Sequence, residues 1–128
     1  KNLIHGGAMF GAYCDGKKIK VSDVKEKQKA SICTGFPVRF DVNLDESIKE
    51  FWSMVSPYAK VRMLGSAAMS LVNVGKGAAE VYSEKNIMLW DVAAGIAIVD
   101  GAGGVYKMNE ATDKWSYDIT ASNGRFSI

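Results

Sequence analysis

The residue best placed for chemistry is Asp91, which is predicted to lie in or just before the first turn of a helix. From Asp91 to Gly104 the only charged residues are Asp91 and Asp100, and the residues between them are small or apolar nearly all round. That composition predicts a helix packed on several sides. A carboxylate at its start either holds a cation or accepts hydrogen bonds from the free N–H groups of the helix. The residues alone leave both interpretations open.

A second candidate site is the small-residue turn Gly65-Ser66. Residues 60–64 predict a strand that runs into this turn, and residues 67–74 predict the helix that follows it. A turn of this kind leaves backbone N–H groups pointing outward with little side-chain bulk in front of them, so a polar ligand can approach closely. The same small residues also permit tight packing of helix on sheet, and both interpretations can hold together.

Turn residues and periodicity predict the elements that come first in the chain. Asp15-Gly16 accepts the positive φ angles of a tight turn and predicts a hairpin between strands at 8–13 and 17–22. Residues 29–34 predict another strand. Asn43 begins and Pro57 ends a predicted amphipathic helix, whose apolar face consists of Leu44, Ile48, Phe51, Trp52 and Val55.

Strands and helices continue to alternate in the rest of the chain. Residues 79–83 predict a strand that ends just before Glu84, and a short loop then leads to the Asp91 helix. That helix ends at Gly103-Gly104, residues 105–108 predict the next strand, and residues 117–128 predict short strands around an Asn123-Gly124 turn. Strands alternating with helices predict an α/β fold, a layered sheet of mixed strands covered by helices, with ligand groups at strand ends. We expect residues 1–128 to form one domain.

Composition narrows the class of protein. With 48% hydrophobic and 23% charged residues, all 128 residues are expected to be globular, and no long apolar run predicts a membrane span or a signal peptide. Cys14 and Cys33 provide no disulfide framework, so we expect a reducing compartment, the cytoplasm. His5 is the only histidine in the sequence. A histidine-rich metal site is therefore not expected, and a Ser-His-Asp triad would depend on this one residue.

Charge is nearly balanced, at a net +2, but six lysines fall between Lys17 and Lys29 with only Asp23 and Glu26 among them. Such a run either steers an anionic substrate or forms a solvated surface. Because no aromatic residues are interleaved and no nucleic-acid motif is present, we expect no nucleic-acid partner.

Several motifs occur in a fixed order along the chain. They are Asp15-Gly16-Lys17-Lys18-Ile19-Lys20-Val21-Ser22, Thr34-Gly35-Phe36-Pro37, Arg62-Met63-Leu64-Gly65-Ser66-Ala67-Ala68, and Trp90-Asp91-Val92-Ala93-Ala94-Gly95 followed by Gly103-Gly104. Gly77 and Tyr82 fit a Gly-x-x-Asp-x-Tyr/Phe pattern, and Glu84 stands seven residues before Asp91. The ordered set resembles the C-terminal half of the inositol monophosphatase family, which comprises magnesium-dependent, lithium-sensitive phosphomonoesterases.

The resemblance assigns roles to matching positions. It implies that Asp91 is a Mg²⁺ ligand, that Glu84 accepts hydrogen bonds from substrate hydroxyls, and that Gly65, Ser66 and Ala67 line the same pocket. Two positions depart from the family pattern. Glu80 stands where many relatives have Asp, and Gly101 replaces an acidic residue.

The resemblance also shows what these 128 residues do not contain. The other metal ligands of the family come from a Glu-Glu pair and an Asp-Pro-x-Asp-Gly-Thr/Ser loop in its N-terminal half, and neither motif is present. A start at Lys1, directly before a predicted strand, fits a cut or processed chain. We therefore expect the chain alone to have negligible phosphatase activity, and to form a homodimer or pair with the missing half.

Three functions remain open at this point. The first is metal-dependent hydrolysis of a phosphate monoester, with inositol monophosphate as the expected substrate and no covalent intermediate. The second is a relative that acts on fructose bisphosphate or an adenosine 3′,5′-bisphosphate, although Glu84 suits hydroxyl groups better than a second phosphate. The third is a non-catalytic module that binds sugar phosphates or serves assembly.

Overall fold

The computed structural model describes residues 1–36 and 44–128. The predicted helix cap Asn43 and the proline of the Gly-Phe-Pro motif, Pro37, lie outside the described residues, as does the side chain of Leu44.

The described strands form two sheets. A small antiparallel sheet consists of β1 (Ile4–Gly7), β2 (Gly11–Cys14) and β3 (Lys17–Ile19). A five-stranded mixed sheet consists of β4 (Ser31–Cys33), β5 (Lys60–Arg62), β6 (Val81–Met88), β7 (Val105–Glu110) and β8 (Ser116–Ser122). Its spatial order is β5-β4-β6-β8-β7, in which β4 is parallel to β5 and β6 whereas β8 is antiparallel to β6 and β7.

Within the described residues, three α-helices separate and cover the sheets: α1 (Leu44–Val55), α2 (Ala67–Gly75) and α3 (Leu89–Gly101). One core cluster packs α2 and α3 on the five-stranded sheet and includes Leu71, Tyr82 and Val99. A second packs α1 on the other face of that sheet, and a third packs the small sheet on the far side of α3 through Ala12 and Ile98. The predicted layered α/β fold is confirmed.

Several element boundaries differ from the sequence prediction. Residues 8–10 form a turn between β1 and β2, whereas the Asp15-Gly16 turn is confirmed, with φ angles of 50° and 77°. The predicted loop before the Asp91 helix was wrong, because β6 extends to Met88 and α3 begins at the next residue. The tail supplies the single strand β8, which forms a hairpin with β7 and pairs on its other side with β6, from which it is more distant in sequence.

Helix α1 has the predicted extent but only part of the predicted buried face. Val55 is buried and Phe51 is half-buried, whereas Ile48 and Trp52 keep 49% and 66% of their surface exposed. Met54 packs on the sheet instead. The face that contacts the sheet is therefore rotated relative to the most hydrophobic face, which periodicity alone does not reveal.

Glu80 explains one departure from the family pattern. Its buried carboxylate accepts a hydrogen bond from the Ser31 N–H at 2.6 Å, while its own backbone N–H donates to the Ser31 carbonyl at 3.0 Å. The acid thus fixes the start of β4 against the start of β6.

The lysines between residues 17 and 29 lie on the surface, and only Lys27 among them is half-buried. Lys29 pairs with Glu26, and the ammonium of Lys27 stands 5.6 Å from the centre of the Tyr58 ring. This arrangement agrees with the solvated surface considered above. Among residues 1–36 and 44–128, no helix has the length and apolar character needed to cross a membrane.

Gly95 sets the distance between α2 and α3. A β-carbon added there would lie 2.6 Å from both Cβ and Cδ1 of Leu71, which is fully buried. We expect Gly95→Ala to lower the free energy of unfolding by about 1–3 kcal/mol, because Leu71 and the helix axes must shift. Urea denaturation measures the change. Ala94→Ser on the exposed side of α3 is the matched control and should stay within about 0.5 kcal/mol of the parent.

Candidate functional site

A cleft of about 500 Å³ opens where the N-terminal ends of α2 and α3 meet the end of β4 and the middle of β6. It brings together all five residues singled out in the sequence. They come from the turn before α2, the first residue of α2, the strand β6 and the first turn of α3, and are Gly65, Ser66, Ala67, Glu84 and Asp91. Trp90, with 67% of its surface exposed, also lines the cleft.

Asp91 is the third residue of α3 and its side chain is exposed. Within the described part of the chain it makes no hydrogen bond or ion pair, and Met88, which precedes the helix, provides no side-chain cap. One of the first helical N–H groups, that of Leu89, donates instead to the Trp115 carbonyl at 2.9 Å. The capping interpretation of Asp91 therefore finds no contact in its favour, and the carboxylate is available to a ligand.

Glu84 does not stand at a strand end, as predicted, but in the middle of β6. A β-bulge between Glu84 and Ile87 interrupts the pairing with β8, and Asn86 within it has a φ of 55°. The Asn86 N–H donates to the Asp118 carboxylate at 2.9 Å, which holds the bulge in place. Bulges redirect side chains and end regular pairing. Glu84 itself is still paired with Ile119, just before the bulge, and lines the cleft from within the strand.

The turn before α2 has the predicted form. Gly65 has a φ of 68°, a conformation that favours glycine, and Ser66 precedes the helix. The Ser66 hydroxyl oxygen accepts a hydrogen bond from the Met69 N–H at 3.2 Å. Because the first N–H groups of a helix have no partner within it, those of Ala67 and Ala68, which line the cleft, are available as donors.

Tyr82 is a buried neighbour of Glu84 that sequence reasoning did not connect with the site. Its hydroxyl donates to Oε2 of Glu84 at 2.7 Å, and the ring is fully buried under α2 and α3. Burial raises the pKa of Tyr82 far above the ordinary value, and the hydrogen bond to Glu84 and the charges of Glu84 and Asp91 raise that pKa further. The alternation of side chains along a strand, which places residues 82 and 84 on one face, was the available signal.

The cleft alone is a poor cage for a cation. No three acids, histidines or cysteines lie close enough to hold a metal ion among residues 1–36 and 44–128. Beside the cleft lies a cavity of about 470 Å³, which shares Thr34, Gly35, Glu84 and Ile87 with it. Glu84 therefore stands on the wall between the two.

Comparisons with known proteins agree on one family. The family model described as "Inositol monophosphatase family" matches residues 1–124. The chain is 33% identical over 127 residues to an inositol-1-monophosphatase of Synechocystis, covering 98% of this chain and 44% of that protein. It is 33% identical over 106 residues to a fructose-1,6-bisphosphatase/inositol-1-monophosphatase of Aquifex aeolicus, covering 83% of this chain and 40% of that protein.

Among solved structures, the inositol monophosphatase from Anabaena is similar over 98% of this chain and 50% of that chain, with a TM-score of 0.83 and 33% identity. The chain spans half the length of that structure and less than half the length of the two curated relatives above.

Proposed function

The chain belongs to the inositol monophosphatase family, and on that basis we propose that residues 1–128 form the C-terminal domain of a Mg²⁺-dependent phosphatase acting on an inositol monophosphate. The observation that carries the proposal is the single cleft that gathers Gly65, Ser66, Ala67, Glu84 and Asp91. Phosphatases make up this family, and a cleft with helix N-termini, acceptors and an available carboxylate suits a phosphorylated polyol.

Asp91 is the proposed metal ligand of this domain. Its carboxylate is exposed and engages no other described residue, so its oxygens are available to a hard cation, and Mg²⁺ prefers oxygen ligands and retains several waters. When bound, Mg²⁺ would polarise the phosphoryl oxygens, lower the pKa of an attacking water and stabilise the leaving alkoxide. Asp91 lines the same cleft as the N-terminus of α2, which supports its proposed role as a metal ligand.

The remaining residues of the cleft are proposed to bind and orient the substrate. The N–H groups at Gly65, Ser66 and Ala67 would donate hydrogen bonds to anionic oxygens of the substrate, because the N-terminus of a helix favours negative charge. Glu84, an acceptor when ionised, would accept hydrogen bonds from the hydroxyls of the cyclitol. Those hydroxyl contacts would discriminate an inositol phosphate from a simple phosphate ester, because a substrate lacking the hydroxyl leaves the acceptor unpaired.

We propose further that this chain is inactive by itself. A single carboxylate cannot hold Mg²⁺ tightly against water, and the described residues contain no group of three acids that could do so. The isolated chain is therefore expected to release no phosphate from inositol 1-phosphate above the level of a no-enzyme blank, at any Mg²⁺ concentration. Sustained Mg²⁺-dependent turnover by the isolated chain would contradict this expectation.

A chimera tests the complete proposal. The part of the Synechocystis enzyme upstream of the matched region is joined to residues 1–128, and phosphate release from inositol 1-phosphate is measured with and without Mg²⁺. We expect Mg²⁺-dependent release by the chimera and none by either part alone. A folded chimera without activity would favour the non-catalytic alternative, and faster hydrolysis of fructose 1,6-bisphosphate would favour the bisphosphatase alternative, which the Aquifex relative's name suggests.

The surface supports the proposal that this domain pairs with another, either the missing half or a second copy. Leu3 before β1 and Met9 and Phe10 after it keep 69%, 91% and 80% of their surface exposed, and large exposed apolar groups can mark interaction surfaces. We expect self-association in a sedimentation series at rising protein concentration. A strictly monomeric chain throughout the series would count against pairing with a second copy.

The two free thiols support the proposed cytoplasmic location.

A further inference from the structure

The Glu84 carboxylate is held from two sides by residues that the proposed function does not use. On one side the buried Tyr82 hydroxyl donates to Oε2 at 2.7 Å. On the other side the carboxylate lies against Gly35. A β-carbon added to Gly35 would lie 2.8 Å from Cδ and 3.1 Å from Oε2 of Glu84, and closer still to Oε1.

The two contacts are independent of one another. Gly35 follows β4, whereas Tyr82 belongs to β6 and stands on the same face as Glu84 two residues later. The Thr34 hydroxyl donates to the Ser83 carbonyl at 2.7 Å, which ties the end of β4 to β6 between the two contacts. A flexible acid is thereby confined to one position on the wall that the cleft shares with its neighbouring cavity.

We infer that Gly35 and Tyr82 are positioning residues that hold the Glu84 carboxylate at the depth where it recognises a hydroxyl group of the substrate. The inference rests on the proposed function, because it takes Glu84 as the acceptor for those hydroxyls. The missing side chain of Gly35 leaves room for the Glu84 carboxylate, and the hydrogen bond from Tyr82 fixes the orientation of that carboxylate. With one lone pair of Oε2 engaged by Tyr82, the remaining acceptor capacity faces the cleft, so the ligand favoured there is a polyol phosphate.

Two small substitutions separate these contributions. Gly35→Ala puts a methyl group where the carboxylate lies, and the fold should tolerate it because the colliding atoms are the end of a flexible side chain. Tyr82→Phe keeps the buried ring and removes the hydroxyl alone. Matched controls are Gly7→Ala, where a β-carbon meets only the Phe10 ring at 4.0 Å, and Tyr106→Phe on the exposed edge strand β7.

The readout is a pair of dissociation constants for the full 128-residue chain in Mg²⁺, obtained from amide shifts in NMR titrations. One probe is myo-inositol 1-phosphate and the other is inorganic phosphate, which has no polyol hydroxyls. We expect both variants to weaken binding of the inositol phosphate about tenfold and to change phosphate binding less than about twofold. A general loss of structure would weaken both probes, and the controls should match the parent for both.

Glu84→Ala distinguishes failure of the inference from failure of the proposed function. If Glu84→Ala loses the preference for inositol phosphate while Gly35→Ala and Tyr82→Phe retain it, the positioning role is overturned and the proposed function stands. If the parent shows no preference, or Glu84→Ala keeps it, the role of Glu84 fails and the inference falls with it.

Discussion

Replacing Asp91 by asparagine is expected to lower Mg²⁺-dependent phosphate release by the chimera more than about 100-fold. The reason is that loss of a metal ligand should cost more activity than mutation of a residue that merely hydrogen-bonds to a ligand. Asparagine preserves the size of the side chain and one oxygen but removes the negative charge that attracts the cation. The exposed Asp91 side chain contacts no partner among the described residues by hydrogen bond or ion pair. Stability should therefore change by less than about 0.5 kcal/mol.

The matched control is Asp100→Asn at the other end of the same helix, outside the cleft. It removes an equal charge and should leave activity within about twofold of the parent, as expected of a substitution away from the site. Initial rates over a Mg²⁺ series and urea denaturation of both variants provide the comparison. Asp91→Asn activity within a few-fold of the parent, with a normal Mg²⁺ dependence, would show that Asp91 is not a metal ligand.

Tyr82→Phe is expected to protect the chain from destabilisation by alkali. The phenol is buried and donates to Glu84, and both effects raise the pKa of Tyr82 far above the value of about 10 that it has in the unfolded chain. Below pH 10 the group is protonated in both states. Above pH 10 the unfolded chain loses the proton while the folded chain retains it, so stability falls as pH rises.

The size of the effect follows from proton linkage. One such tyrosine lowers the free energy of unfolding by about 1.4 kcal/mol per pH unit, or about 2 kcal/mol by pH 11.5. Urea denaturation of parent and Tyr82→Phe from pH 8 to 11.5 should show this difference in slope.

Other groups that lose a proton at alkaline pH remain in both the parent and Tyr82→Phe. Burial also raises the pKa values of Cys33 and Tyr58, so Tyr82→Phe is expected to keep part of the slope. Tyr106→Phe on the surface should keep the parent's slope. Equal slopes for parent and Tyr82→Phe would mean that the phenol ionises in the folded chain as easily as in the unfolded one.

Local signals in the sequence determined more of the site than of the fold. The Asp15-Gly16 turn and the start of α2 after Ser66 follow from turn and capping chemistry, which acts within a few residues. The position of Asp91 in the first turn of α3 follows from the same local reasoning. Motif order indicated which residues to consider together, and the structure places those five in one cleft.

Tertiary structure decided what depends on contacts distant in sequence. Pairing of β6 with β8 extends β6 past Glu84 and creates the bulge, and packing on the sheet selects which face of α1 is buried. The contact between Gly35 and Glu84 joins two residues that are far apart in the sequence. The physical reason is that sequence patterns report local conformational preferences, whereas the depth of a carboxylate in a cleft depends on how separate strands and helices pack.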